Sequence, residues 1–122
     1  QYAAVAALEG PQQCVDDMLR AFAQRREYVR SRIAALPQVT CPEMGGAFYA
    51  FMNIKAHLGR TYGGAAVNNS AEWCLELLAR HGVATVMGSA FGAEGYARVS
   101  FATDLPTLTK GFDGIEAFLR GA

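Results

Sequence analysis

A chain of 122 residues can bury about two thirds of the surface its unfolded form exposes, enough for one domain with its own core. Apolar residues at 52% against 18% charged exclude a disordered composition, and a formal net charge of zero leaves no footprint for nucleic acid or an anionic membrane surface. Cys14, Cys41 and Cys74 are odd in number and widely spaced, which argues against a disulfide framework and a zinc site; reduced thiols in a cytoplasmic protein are the expectation.

The chain opens on a helix-favouring, alanine-rich segment, Tyr2 to Leu8, interrupted at Gly10-Pro11, with Pro11 suited to the first turn of a new helix. Val15, Met18, Leu19, Phe22, Val29, Ile33 and Leu36 recur at three- and four-residue spacing, which predicts one long amphipathic helix ending near Pro37. About 25 residues at 1.5 Å each would span nearly 40 Å, long enough to bridge two domains. Its polar face sets Arg20, Arg25, Arg26, Arg30 and Arg32 against Asp16, Asp17 and Glu27 and reads as solvated and partly ion-paired. The aromatic run from Ala47 to Met52 reads as a strand buried on both sides. Gly45-Gly46 before it fit either the close approach of a ligand or a plain turn. Lys55 to Val67, punctuated by Gly59, Gly63 and Gly64, reads as a loop with His57 alone on its surface.

Asn69 and Glu72 have the spacing of a capping box, opening a helix through Trp73, Cys74, Leu77 and Leu78 that Gly82 closes in the left-handed conformation. Val83 to Val86 predicts a short strand. After a glycine-punctuated loop, Tyr96, Arg98 and Ser100 share one face of a second strand and Ala97, Val99 and Phe101 the other. A guanidinium rooted on a strand is held in one orientation, and its fork matches the two oxygens of a carboxylate or phosphate. Arg98 is therefore the candidate ligand reader, with Tyr96 and Ser100 as possible supports, although the spacing alone fits a solvent-facing arginine as well. The loop from Gly88 to Gly95 is not a nucleotide loop, because neither Lys-Ser/Thr nor a helix follows it. Leu105, Leu108, Phe112, Ile115 and Phe118 or Leu119 predict a last helix, capped by Thr103 or Asp104 and ended by Gly121. The resulting expectation is an α/β chain of the two-layer α+β kind. A small, mainly antiparallel sheet carries helices on one side and is preceded by the long helix.

Gly-Ser-Ala-Phe-Gly at 88–92 followed by Arg-Val-Ser-Phe-Ala at 98–102 resembles the carboxyl-terminal part of fold-type I, pyridoxal-phosphate-dependent aminotransferases of the aspartate aminotransferase class. The opening Gln1-Tyr2-Ala3-Ala4-Val5-Ala6-Ala7-Leu8-Glu9-Gly10-Pro11 and the central Gly45-Gly46-Ala47-Phe48-Tyr49-Ala50-Phe51 are similar to segments of the same family in the same order. Met87 departs from the pattern, which usually has proline there. The resemblance implies that Arg98 binds the substrate α-carboxylate and that Gly46 lines the substrate side of the small domain. It also implies a pyridoxal 5'-phosphate cofactor, amino acid and 2-oxo acid substrates, and a homodimer. The cofactor's aldehyde requires a lysine amine. Only Lys55 and Lys110 are present, and neither lies in anything like the family's lysine motif. The expectation is thus that residues 1–122 are the small domain cut from a longer chain, inactive alone, with no catalytic residue of its own. The competing expectation is a non-catalytic module in which Arg98 reads a free amino acid.

Overall fold

The computed structural model describes residues 1–121. Helix α1 (Tyr2–Glu9) ends at Gly10 and helix α2 (Gln13–Ala35) follows. Pro11 stays outside both helices; Gln12 takes the cap position, and its side-chain amide donates to the carbonyls of Ala7 and Gly10 at 3.1 and 2.9 Å. The long helix therefore exists much as its periodicity predicts, 23 residues and about 35 Å. Its apolar stripe is used from Phe22 onward: Phe22 is half-buried against the rings of Phe48 and Phe101, and Val29 and Ile33 are buried. Val15, Met18 and Leu19 remain 48%, 55% and 67% exposed, and all of α1 is exposed except its Gly10 cap. Half of a stripe built for burial thus has no cover among the described residues.

Strand β1 (Tyr49–Asn53) and strand β5 (Tyr96–Ser100) pair antiparallel, with Phe51 opposite Arg98, and strand β4 (Val86–Met87) pairs with the other edge of β5. The first strand begins two residues later than the aromatic run suggests, because Ala47 takes a positive φ of 57° and turns the chain. It is also not buried on both sides. Ala50 and Met52 are covered, while Tyr49, Phe51 and Asn53 are half-buried, since the helices pack on one face only. Strand β4 begins at Val86 and includes Met87, so it overlaps the expected Val83 to Val86 only at its last residue; Val83 lies against Gly114 instead.

The segment from Lys55 to Val67 departs most from its reading as a loop. A short 3-10 turn, Lys55–His57, leads into a hairpin of strands β2 (Arg60–Tyr62) and β3 (Ala65–Val67). Gly63 and Gly64 connect them at φ of 51° and 92°, the positive values a tight primed turn requires. His57 is buried at 1% exposure rather than on the surface. Its Nε2–H donates to the Pro37 carbonyl at 2.8 Å, and its Nδ1 accepts from the Tyr62 hydroxyl at 2.9 Å, an arrangement that satisfies the neutral ring.

Burial holds His57 below its ordinary value near 6.5. The unfolded chain therefore takes up a proton below that pH while the folded chain resists it, so stability falls as pH drops below about 6.5. Thermal unfolding at pH 7, 6 and 5 should show the midpoint declining, and His57→Gln should flatten that slope. An equal slope in both proteins would contradict the assignment.

Helix α3 (Ser70–His81) is capped as its sequence predicts. The Asn69 side chain accepts from Glu72 N–H at 2.9 Å, and Gly82 closes the helix at φ 66°. The return arm differs, since the Glu72 carboxylate accepts from the backbone of Asn68 at 2.7 Å. Helix α4 (Leu105–Arg120) is capped by Asp104, which accepts from Thr107 N–H at 2.7 Å, and ends at Gly121. Leu108, Phe112, Ile115, Phe118 and Leu119 of α4 join Trp73 and Leu77 of α3, Val29 and Ile33 of α2, and the covered face of the sheet in one core. This is the two-layer α+β architecture expected from the order of elements.

Candidate functional site

The site is built on the face of the sheet that the helices leave open. The pleat puts Arg98 on that face with Tyr96, while Ala97 is driven into the core. The Arg98 Cζ atom lies over the ring of Tyr49, 4.3 Å from its centre, and over the ring of Phe91, 4.6 Å from its centre. Each such contact is worth about 0.5–1 kcal/mol at an exposed site. Among the described residues, no carboxylate pairs with Arg98 and no acceptor takes its N–H groups. Arg98 is half-buried, aromatic-lined and unpaired, which equips it to receive an anion.

Tyr96 and Ser100 do not support the guanidinium. The Ser100 hydroxyl accepts from Ala102 N–H at 3.3 Å, and the Tyr96 ring stacks on Phe51 at 5.0 Å and carries Lys55 Nζ 5.1 Å above it. The supporting rings come from Tyr49, diagonal to Arg98 across the β1–β5 pair, and from Phe91, beyond the reach of strand alternation. Strand pairing brings the first into place, and neither register nor loop shape is written in the local pattern. Gly46 sits in an exposed bend three residues before Tyr49, with open space where a Cβ would be, and the positive φ falls on Ala47 instead.

Phe91 ends a 3-10 turn, Gly88–Phe91. Gly88 is buried, and a Cβ there would overlap the Ala93 carbonyl, the Tyr96 carbonyl and Tyr96 Cβ, so no larger residue fits. Met87 adopts φ −59°, the value a proline would impose, so the turn keeps its shape without one. Glu94 fastens the loop to the start of α3. Its carboxylate accepts from Ser70 N–H at 2.6 Å, Gly95 N–H at 3.0 Å and the Ser70 hydroxyl at 3.2 Å, which holds it below the ordinary carboxylate range. A lone acid inside a glycine loop was the available signal for this latch.

Pyridoxal phosphate would need an amine for its aldehyde and donors for its phosphate. Lys55 is exposed above Tyr96, and Lys110 is exposed and lines a groove of about 430 Å³ between α4, the residues that end and follow α3, and the end of β5. A second groove, about 740 Å³ between α2 and residues 39–44, contains no lysine, and Arg98 lines neither. The residues described here do not by themselves form a site for that cofactor. They also contain no group of three or more His, Cys, Asp and Glu side chains placed for a metal, and no helix long and apolar enough to cross a membrane.

The fold is thus an α+β layer that presents a strand-borne arginine with no ion-pair partner among the described residues. The chain belongs to the aminotransferase class I and II family, whose sequence profile matches residues 1–115. It is 39% identical over 122 residues to the aspartate/prephenate aminotransferase of Cereibacter sphaeroides and 37% identical over 120 residues to the aspartate aminotransferase of Geobacillus stearothermophilus. Those alignments take in 99% and 98% of this chain and 30% of each relative. Among solved structures, the aspartate aminotransferase of Rhizobium meliloti superposes with a TM-score of 0.92 at 32% identity, over 98% of this chain and 30% of that one. The alanine aminotransferase of Pyrococcus furiosus gives 0.86 at 28% identity, over 99% and 29%. The chain thus spans about 30% of the length of the relatives it matches, and the match is to their carboxyl-terminal part.

Proposed function

We propose that residues 1–122 are the small domain of a longer pyridoxal-phosphate-dependent aminotransferase, and that Arg98 binds the α-carboxylate of its amino acid and 2-oxo acid substrates. The observation that carries this reading is the unpaired Arg98 guanidinium over Tyr49 and Phe91. Aspartate and alanine, for which two of the similar enzymes are named, differ in side chain but share an α-carboxylate, so a common reader of that group suits the shared domain. Two parallel charge-assisted bonds would fix the substrate's orientation as well as its affinity. The bend at Gly46 is exposed, with open space where a Cβ would stand, which is in keeping with a glycine on the substrate side of the domain. When bound, the cofactor supplies the electron sink for amino-group transfer; its contacts, including the lysine, fall outside these residues. The uncovered stripe of Val15, Met18 and Leu19 is in keeping with a helix that continues onto another domain, and a homodimer completes the reading. A reducing, cytoplasmic setting accords with three unpaired cysteines.

Calorimetric titration of the 122-residue chain with free amino acids tests it. A small domain holding half a site should give no measurable heat up to millimolar ligand and no transamination with added cofactor. Micromolar binding would overturn the reading in favour of a stand-alone amino-acid-binding module.

A further inference from the structure

We propose that Phe91 is a positioning residue, holding the Arg98 guanidinium by its flat face so that its N–H edge is aimed before any ligand arrives. The inference rests on the carboxylate-reading role of Arg98. An arginine side chain has four rotatable bonds and is ordinarily mobile when exposed. A ring engages the face of the guanidinium, whereas its donors lie in the plane and point outward. Ring contact and carboxylate binding therefore use different parts of the same group and do not compete.

The way Phe91 is held favours this role over ordinary packing. The residue is 50% exposed, so burial alone does little to fix its ring. The backbone beneath it is nonetheless fastened twice, by Gly88, where any Cβ would overlap its neighbours, and by Glu94 on the start of α3. The ring is braced edge-on by Phe51 at 6.1 Å, the residue opposite Arg98 in the strand pair. A half-exposed aromatic on a rigid turn, set 4.6 Å from an unpaired cation, is a device for orienting that cation.

Nitrogen-15 relaxation at the Arg98 Nε–H of the 122-residue chain, without ligand, decides the matter. The order parameter should stand near 0.8 or above in the parent protein and in Phe91→Tyr, and fall below about 0.6 in Phe91→Ala and Phe91→Leu. An unchanged value in Phe91→Ala would overturn the proposal. A parent-like value in Phe91→Leu would overturn it equally, because apolar bulk would then suffice. The leucine variant keeps the turn filled, so the Leu and Tyr pair decides even where alanine loosens the loop. Relaxation judges Phe91, while substrate kinetics of Arg98 variants judge the carboxylate role, so the two readings fail separately.

Discussion

Replacing Arg98 by alanine in the complete polypeptide should lower kcat/KM for every amino-acid substrate by about 10²–10⁴. Two hydrogen bonds to a charged partner, at about 1.5–3 kcal/mol each, correspond to a loss of that size. Arg98→Lys keeps the positive charge but loses the fork, so it should raise KM about tenfold or more whatever the substrate's side chain. The uniformity across substrates is the diagnostic, because the α-carboxylate is the group they share. Arg98→Ala also forfeits the contacts with the Tyr49 and Phe91 rings, about 1–2 kcal/mol together, and should lower the thermal midpoint of the 122-residue chain by several degrees. Arg98→Lys keeps a cation beside the rings and breaks no hydrogen bond or ion pair among the described residues, so its midpoint should move by only a degree or two. Steady-state kinetics with a dicarboxylic and an apolar amino acid would check this, and unchanged constants for Arg98→Lys would remove the arginine from the site.

The second large effect concerns the core. Phe118 is 2% exposed and lies where three elements meet. Its ring stacks on Tyr62 of the hairpin at 4.3 Å, meets Trp73 of α3 edge-on at 5.6 Å, and approaches His81 at 5.9 Å. Phe118→Ala removes a ring from a site that cannot readily collapse around the gap, since its walls come from the hairpin and from both ends of α3, and should destabilise by about 3–5 kcal/mol. A domain of this size has only about 5–15 kcal/mol in hand. A loss of about 10 °C or more in the midpoint is therefore expected. Leu78→Ala, on the same α3 helix but 47% exposed, should change stability far less, by roughly 0.5 kcal/mol. Equal effects in urea or thermal unfolding would show that the hairpin and α4 are not held through this ring.

Local chemistry made much of the framework legible. The three- and four-residue spacing of α2, the Asn69 cap, the Gly82 and Gly121 stops and the alternation of β5 all depend on neighbours within a few residues, and the structure places each where that spacing puts it; of Thr103 and Asp104, it is Asp104 that caps α4. The hairpin is less legible, although Gly63-Gly64 between its two short strands is itself a two-residue turn signal. Three-residue strands carry too little periodicity to stand out from a loop. The burial of His57 has a different cause: its partners, the Pro37 carbonyl and the Tyr62 hydroxyl, lie 20 residues before it and five after it.

By itself the sequence determined that one apolar, charge-balanced chain forms helices and a small antiparallel sheet, and that Arg98 stands on a strand whose alternate residues enter the core. Its three family-like stretches also pointed to the aminotransferases that the profile and the superpositions then matched. Only the tertiary structure decided what surrounds Arg98. The Tyr49 ring arrives by strand register, the Phe91 ring by a turn that Gly88 and Glu94 hold against α3, and Tyr96 is drawn away by its stack with Phe51. Periodicity reports which way a side chain points from its own element; which side chain meets it there is settled by contacts far apart in sequence, and those form only when the elements pack.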